Sequence, residues 1–482
     1  MRRTSIAAVL AALVLLVVVA DLTGSNASSR SIRPTRVPIT AATLVCPQIN
    51  GSPPGTVSRA SIADLASALS PPSHSAGKVT ATVLAGRKST AKSVTVAPVH
   101  VIHSASKQSQ QVEIDASGSV AATLAGDVTV ENATGRSRAM SVARCVEPAT
   151  DWWFTGADGR IGFVDLLVLA NPSPTAARVA VSLWGQKGPH DNTQLQSVPI
   201  GAHRTVKIPI ASAAPDVASV AVHVHATTGT VTAALLEHRT ETLLSNGSDF
   251  IPAANAPATT AVVPGFAPGD GPRYLIVTAP GTADATVNLR LETRSGTFQP
   301  SGVNQVVVRA GHTRPISVSA QLGKSGGAAL LTSDQPVIAS GLSVIPASGK
   351  RPDLMWSAAI PPLHTPAGIG NGHQPDGGHT YLYLSAPDAA ASVKVTAPGG
   401  RARTIAVPAK RSTVTDITAT IKSAAVTWPF VVTPLGSAPV YGVVAMSFAG
   451  AHGSLAASEP LIGLPTPIPL PPVREDARVA VS

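Results

Sequence analysis

The sequence predicts an all-β protein of tandem Ig-like or fibronectin-like β-sandwich domains that follow an N-terminal signal or anchor helix. One strand pattern occurs three times, at Val164–Pro172, Pro272–Pro280 and His379–Pro387, and its closing proline recurs about every 108 residues. Short alternating runs rich in Val, Ile and Thr are separated by Gly, Pro, Asn and Asp, as in β-sandwiches. The 40 glycines and 42 prolines suit turns and strand ends better than helices.

The repeat divides the chain into successive domains, each with room for about six or seven strands and its own core. The segment 41–150 also alternates like strands but does not align with the repeats, so we treat it as a separate sandwich or half-sandwich; whether it is a diverged fourth copy stays open. We predict a signal peptide or membrane anchor at 1–27, a linker at 28–40, a disulfide-closed N-terminal β domain at 41–150, β-sandwich repeats at 151–255, 256–362 and 363–462, and a Pro-rich tail at 463–482.

The N-terminus and the cysteines both predict a location outside the cytoplasm. A basic start precedes the apolar run Ile6–Ala20, which is typical of a cleaved signal peptide or of an uncleaved anchor, and both alternatives stay open. The two cysteines, Cys46 and Cys145, form an even pair that an oxidising compartment would join as a disulfide. We therefore expect the bulk of the chain to be extracytoplasmic, either secreted or held at the membrane by its N-terminal segment.

A distinctive motif lies just before the first repeat. The segment Cys145–Gly156 carries paired tryptophans after a cysteine, and Leu167–Pro172 follows it with an LxxANP-type strand end. This combination resembles a family of exported actinobacterial proteins of unknown function, the domain-of-unknown-function family 5719, over Cys46 to nearly Ser447. The resemblance implies an N-terminal signal or anchor and an extracytoplasmic location. It implies no activity and supplies no catalytic residues.

Trp152 and Trp153 are the strongest binding candidates, with Asp151 beside them. Adjacent residues of a strand face opposite ways, so one indole can enter a core while the other is exposed. An exposed Trp could stack on a sugar or anchor a partner, because an indole combines a large apolar area with a polar N–H. The alternative is that both indoles pack at the boundary between the N-terminal domain and the first repeat.

Two histidine groups are candidate metal ligands. His223 and His225 flank one residue and therefore point to the same face of a strand, but such a pair needs further ligands from neighbouring strands. The valines at 220, 222 and 224 fill the opposite face, which predicts that the histidines face solvent. A second, weak group lies in the polar linker before the third repeat: His364, His373, Asp376 and His379. We predict no cofactor and no committed metal site.

One string resembles a catalytic motif. Residues 323–327 read GKSGG, which matches the GxSxG pattern of serine hydrolases. That motif works only as a sharp turn from a strand into a helix with His and acid partners, and no helix is predicted after it. The string also occurs in one repeat only, so we interpret it as a turn.

These observations favour a non-enzymatic exported protein of the cell envelope, acting as a scaffold or as a partner- and ligand-binding array. The alternative is a carbohydrate- or peptidoglycan-binding module, and a cell-wall-processing enzyme is less favoured. The net charge of +10 suits contact with an envelope protein, an anionic wall polymer or the membrane. Nucleic acid is not expected as a partner, because aromatic residues make up only 3% of the chain and no recognition motif is present.

Overall fold

The structure is a computed structural model that describes residues 36–49, 56–69, 71–85, 88–96, 99–104, 110–134, 137–242, 244–347, 350–372, 377–421, 428–450 and 453–469. The predicted signal or anchor at 1–27 and the end of the Pro-rich tail lie outside these residues. The chain divides into two compact units, residues 1–38 with 467–482 and residues 39–466. In the first unit, strand β1 (Arg36–Val37) pairs antiparallel with β35 (Ile468–Pro469).

The second unit contains four β domains. Their described residues lie almost entirely in strands and turns. Domain 1 has eight strands: β2 (Ala41–Ile49), β3 (Val57–Asp64), β4 (Gly77–Ala85), β5 (Lys88–Val94), β6 (Val99–Ser104), β7 (Gln110–Gly118), β8 (Leu124–Asn132) and β9 (Ala139–Arg144). Domain 2 continues with β10 (Asp151–Ala157), β11 (Leu166–Asn171), β12 (Ala177–Gly185), β13 (Gly188–His190), β14 (Val198–Ile200), β15 (Arg204–Pro209), β16 (Val220–Thr228), β17 (Thr232–Glu241) and β18 (Leu244–Ile251).

Domain 3 is distinguished by one long strand that serves two sheets. Its strands are β19 (Ala258–Phe266), β20 (Arg273–Ala279), β21 (Ala285–Thr293), β22 (Gly296–Phe298), β23 (Gln305–Val308), β24 (His312–Ser317), β25 (Gly327–Ala347) and β26 (Lys350–Ala358). Domain 4 has β27 (Ala367–Ile369), β28 (His379–Ala386), β29 (Ala391–Thr396), β30 (Ala402–Val407), β31 (Arg411–Asp416), β32 (Phe430–Leu435), β33 (Tyr441–Gly450) and β34 (Gly453–Pro460).

The helices of the described chain are single turns. Three are α-helical, α1 (Ile210–Ala213), α2 (Ser319–Leu322) and α3 (Thr418–Ile421). Three more turns, Ala66–Ala68, Ser119–Ala122 and Thr193–Leu195, are 3₁₀-helical. Within the described residues, no helix has the length and apolarity needed to cross a membrane.

All four domains share one strand order. The two short strands that both pair with the third strand, β13 and β14 in domain 2 and β22 and β23 in domain 3, together take the fourth position. With this count, the first strand of each domain pairs with the sixth, the sixth with the third and the third with the fourth, while the other sheet runs fifth, second, seventh, eighth. Domain 1 reads β2-β7-β4-β5 and β6-β3-β8-β9, and domain 4 reads β27-β32-β29-β30 and β31-β28-β33-β34. Domain 3 joins its sixth and seventh strands into β25. Segment 41–150 is therefore a complete sandwich with the topology of the three repeats, with eight strands where about six or seven were expected.

The alternating sequences place one face of each strand in a core. In β12 the burial pattern alternates strictly, with Val179, Val181 and Leu183 inside. The core of each domain combines residues of both sheets, for example Leu167 and Leu169 of one sheet with Val222 and Val224 of the other. These aliphatic cores have the two-layer construction of a β-sandwich, and the Ig-like class is consistent with them.

The predicted disulfide is present. Cys46 of β2 is bonded to Cys145, which directly follows β9. The bond joins the first strand of domain 1 to the residue after its last strand, and both cysteines are buried in the core of that domain. A disulfide that persists in the folded chain indicates an oxidising, extracytoplasmic compartment.

The four domains form a closed cycle. The first strand of each domain lies against the fifth-second-seventh-eighth sheet of the next: β2 against β11 and β17, β10 against β20 and β25, and β19 against β28 and β33. The cycle is completed by β27, which lies against β8 of domain 1. The four last strands, β9, β18, β26 and β34, contact their neighbours around the centre of this cycle. The domains are thus packed against one another, which the tandem repeat did not predict.

A buried carboxylate connects the four last strands. Asp249 of β18 is fully buried, and it accepts backbone N–H groups from the last strands of all three other domains: Val142 at 3.2 Å, Trp356 at 3.1 Å and Ser458 at 3.3 Å. An edge strand presents unpaired N–H groups that must find acceptors once they are buried. Asp249 provides such acceptors at the point where the domains meet.

A second carboxylate repeats the arrangement one layer away. Asp353 of β26 is also fully buried and accepts N–H groups from the three remaining last strands: Met140 at 3.1 Å, Ser248 at 3.1 Å and Ala456 at 3.1 Å. Burial raises the pKa of Asp249 well above its usual range, although the backbone donors oppose this. Burial likewise raises the pKa of Asp353 to about 7. We call Asp249, Asp353 and their N–H donors the central carboxylate cluster.

Replacing one acceptor of this cluster is expected to loosen the whole cycle. Asp249→Asn keeps the shape but turns an NH₂ group toward backbone N–H donors, so we expect a loss of about 3 kcal/mol in the free energy of unfolding. Denaturant titration followed by tryptophan fluorescence measures it. Asp270→Asn, at an exposed turn, is the matched control and should change stability by less than about 0.5 kcal/mol. Equal effects of the two substitutions would contradict the role given to Asp249.

The stability of the chain is expected to fall as pH rises from about 4 to about 7. Burial raises the pKa of Asp353 to about 7 in the folded chain, against about 3.9 in the unfolded chain. Between these two values the unfolded chain releases a proton that the folded chain keeps, so the stability advantage declines across the interval and is gone above about pH 7. At about 1.4 kcal/mol per unit, this group alone contributes roughly 4 kcal/mol. Denaturant unfolding at pH 4.5, 6 and 7.5 tests it, and Asp353→Asn should flatten the slope. Stability that rises over this range would refute the prediction.

Candidate functional site

The paired tryptophans of β10 point to opposite faces. Trp152 packs against the core of domain 2, and its Nε1 donates a hydrogen bond to the carbonyl oxygen of Val231 at 2.9 Å. Trp153 lies half-buried on the outer face of the same sheet. The structure thus places one indole at the inside position and leaves the other available at the surface.

Trp153 belongs to an aromatic stack. Its ring lies 3.7 Å from that of His223 with an interplanar angle of 7°, and 5.7 Å from that of Trp184 with an angle of 20°. Strand register produces this stack: Trp153 of β10 is opposite His223 of β16, which is opposite Ser182 of β12. A depression of about 350 Å³ adjoins the stack, and its other wall comes from turns of domain 3 at Pro257, Pro280–Gly281, Ala283 and Gln335–Pro336.

The same face carries a carboxylate between two histidines. Asp151 Oδ1 lies 3.0 Å from His223 Nε2 and 2.9 Å from His225 Nδ1. The hydrogen bond with His225, more than any other contact, lowers the pKa of Asp151 to about 2. Burial lowers the pKa of His223 despite the nearby carboxylate. Within the described part of the chain, these three residues are the only group of three or more His, Cys, Asp or Glu side chains spaced to hold a metal ion.

The weak metal candidates of the linker are not brought together among the described residues. His364 is exposed, and His373 and Asp376 lie outside the described residues. His379 pairs instead with Asp416, with Nδ1 2.7 Å from Oδ2, and stacks on Tyr381.

The GxSxG string is a turn. It follows α2, and Gly323 adopts a φ of 55°, a conformation that favours glycine. The guanidinium of Arg273 donates to the carbonyl oxygens of Ser325, at 3.0 Å, and of Gly323. Because these contacts fix the loop around an arginine and no helix follows it, the string does not form a nucleophile elbow.

A larger cavity lies between domains 1 and 2. It has a volume of about 500 Å³ and is closed on one side by β2 and on the other by the outer face of the β11–β15–β17 sheet, with a contribution from the end of β34. Most of its wall is apolar, from residues that include Val45, Pro47, Val168, Ala170, Ala234 and Ile462. Pockets of this size and polarity are typical of small-molecule sites.

Two polar side chains in the wall, Gln111 and Arg144, each have a buried nitrogen without a hydrogen-bond partner among the described residues, Nε2 and Nη1 respectively. The carboxyl group of Glu459 also lines the cavity and shares a hydrogen bond with that of Asp127. Burial, and then the neighbouring carboxyl of Asp127, raises the pKa of Glu459 well above its usual range. Lys207 also lines the cavity, and burial lowers its pKa. Buried polar atoms without a partner are uncommon in folded proteins, so Gln111 Nε2 and Arg144 Nη1 are candidate donors to a ligand in the cavity.

The first strands explain why this interface is open. At the other three interfaces a glycine in the first strand, or directly after it, lies close to the neighbouring domain. A Cβ on Gly156 would collide with the ring of Trp356, and one on Gly265 would meet Val443 at 3.0 Å. A Cβ on Gly370, the residue after β27, would meet Asp127 at 2.8 Å. In β2 the pairing irregularity falls between Cys46 and Ile49 and contains Pro47. The ring of Pro47 prevents the backbone of β2 from coming as close to the sheet of domain 2 as a glycine would allow, and the cavity lies beside this proline.

Sequence reasoning found Asp151, Trp153 and the histidine pair separately but not their association. It missed the cavity residues and the central carboxylate cluster. One signal was available, since Asp is depleted in strands and Asp249 and Asp353 both interrupt β-like runs. The cavity had no such signal, because its wall comes from three domains.

Comparison with known proteins gives one family. The model of a family of unknown function, DUF5719, matches residues 100–420, more than half of the 482-residue chain. No curated protein matches. One solved structure, of a 1.5-MDa bacterial ice-binding adhesin, is 10% identical over 65% of this chain and 98% of that one, with a TM-score of 0.11, too low to support any argument about fold or function. On the extent of the family match, the chain belongs to the family of unknown function DUF5719.

Proposed function

We propose that this protein is a non-enzymatic, exported binding protein that holds an amphipathic small molecule in the cavity between domains 1 and 2. The observation that carries the proposal is the cavity itself, about 500 Å³ of mostly apolar space with unpartnered buried polar atoms in its wall. An apolar body would fill the space, and an acceptor group would meet Arg144, Gln111 and Lys207. The closed cycle of domains serves as a rigid frame that keeps this one interface open.

The charge around the cavity favours an anionic end group. Arg144 lies near Asp127 and Glu459, and it lowers the pKa of both against the larger effect of burial. A raised pKa keeps Glu459 protonated over a wider pH range, which leaves more of the arginine's charge for a ligand. Lys207, and Arg204 on the same wall, add positive charge. A carboxylate or phosphate head with an apolar tail fits these features.

An extracytoplasmic location agrees with the disulfide, and we propose that the segment at 1–27 directs export. Whether it is a cleaved signal or a retained anchor is decided by N-terminal sequencing of the protein from membrane and culture fractions. An amphipathic ligand would be available at the outer face of a membrane, where the cell-envelope role expected from the sequence also places the protein. The proposed role is to bind and carry or present such a molecule.

A second candidate function rests on the aromatic stack. Trp153, Trp184 and His223 present flat rings beside polar groups and a depression of about 350 Å³, a surface on which a sugar ring could stack. This favours wall-polymer binding as an additional activity of domain 2. It does not compete with the cavity, because no residue lines both the cavity and the depression.

The cavity is tested with 1-anilinonaphthalene-8-sulfonate, which joins apolar rings to an anionic sulfonate, and with dodecanoate as competitor. We expect saturable fluorescence enhancement at one site and displacement by dodecanoate. Ala234→Phe fills the cavity and should weaken binding at least about tenfold. Lys207→Met removes one charge and should weaken it several-fold, whereas Lys324→Met, at an exposed lysine, should change nothing.

Circular dichroism establishes that each of these variants folds. Unchanged probe affinity in a folded Ala234→Phe variant would rule out the cavity as the binding site. If the two lysine substitutions change probe affinity equally, the proposal that the ligand has an anionic end group is wrong.

The aromatic surface is tested by retention on isolated cell-wall polysaccharide. Trp153→Ala should reduce retention by about tenfold, since stacked aromatic contacts and the buried area they supply contribute on the order of 1–2 kcal/mol. Phe298→Ala removes an exposed aromatic side chain of domain 3 and is the matched control. Retention of Trp153→Ala equal to that of the control would eliminate this second function.

A further inference from the structure

We propose that Asp151, His223 and His225 form a binding site for a late first-row divalent metal ion, for which Zn²⁺ and Cu²⁺ are the probes. Two imidazole nitrogens and one carboxylate oxygen are the donor set that such ions prefer. The site lies on the outer face of the β10–β16–β12 sheet and does not depend on the ligand proposed for the cavity.

The spacing of the three donors suits a single ion. Asp151 Oδ1 is 3.0 Å from His223 Nε2 and 2.9 Å from His225 Nδ1, and all three donor atoms lie within 4.8 Å of one another. Bonds of about 2.0–2.2 Å at angles between 90° and 110° separate neighbouring ligand atoms by about 2.9–3.5 Å. Small side-chain rotations are therefore sufficient to place an ion among them.

The backbone holds the donors in place before any ion arrives. His223 and His225 alternate on β16, so both point outward while Val222 and Val224 fill the core. Asp151 of β10 is directly opposite His225 in the antiparallel pair. One face of the His223 ring is covered by Trp153 at 3.7 Å, which restricts its rotation. A metal site on two paired strands costs little ordering of the chain.

The orientation of the donors also favours an ion. His223 Nε2 and His225 Nδ1 both point at the same oxygen of Asp151, so the three donor atoms already converge on one place.

Three protein ligands leave further coordination positions open. Asp151 and His225 are exposed, so these positions face solvent and the neighbouring Trp153 and Trp184 rings. Water or a donor atom of a molecule stacked on those rings can complete the coordination. This is the open arrangement of sites with three protein ligands, as opposed to closed four-ligand structural sites.

The experiment uses the chain purified without a histidine tag. Isothermal titration with Zn²⁺ should give one site per chain. His225→Ala and Asp151→Asn should each weaken it at least about tenfold, since even outer-shell substitutions at metal sites cost 10–100-fold. His379→Ala is the matched control, because His379 also pairs with an aspartate on a strand but has no third ligand among the described residues.

Cu²⁺ gives a second, position-specific readout. Because the Trp153 ring stacks on His223, a bound Cu²⁺ ion should quench its fluorescence, and excess chelator should restore it. Trp153→Phe should retain Zn²⁺ binding and lose this component of quenching. The proposal is overturned if the wild-type chain and folded His225→Ala bind Zn²⁺ equally well, or if quenching by Cu²⁺ is the same with and without Trp153.

Discussion

The structure depends on two carboxylates that satisfy the buried edges of four sheets. Each domain ends in an edge strand, and packing four such edges together would bury backbone N–H groups with no acceptor. Asp249 and Asp353 each accept N–H groups from the three other last strands, so every domain is joined to every other through one short cluster. Breaking any one domain away would leave these carboxyl groups and backbone donors without partners, which couples the stability of all four domains.

In the closed cycle, the first strand of each domain must pack closely against a sheet of the next domain. At three interfaces a glycine allows the backbone to come within contact distance: Gly156, Gly265 and Gly370. Domain 1 carries Pro47 at the irregularity of β2, and its interface holds a cavity of about 500 Å³. Within domain 1, the disulfide from Cys46 joins this first strand to Cys145, directly after the last strand. The proposed binding site thus lies where the chain departs locally from the repeat.

Much of the fold could be predicted from the sequence because it depends on the order of apolar and polar residues within single strands. Alternating apolar residues fixed the β class, the recurring strand ends gave the period, and two cysteines gave the disulfide. The sequence did not show whether segment 41–150 is a fourth copy, because this segment has the same strand order but lacks the sequence motif that recurs in the three repeats. The central carboxylate cluster and the association of Asp151 with His225 could not be predicted, since both depend on register between strands more than 70 residues apart.

Comparing the four domains separates architecture from function. Features common to all four, the strand order and the inward aliphatic faces, build the frame and are explained by packing alone. The Asp151–His223–His225 group, by contrast, is the only group of its kind among the described residues, and the cavity lies beside Pro47, where β2 differs from the other first strands. The binding roles proposed for this protein therefore rest on these two departures from the shared frame, and not on the strand order that all four domains have in common.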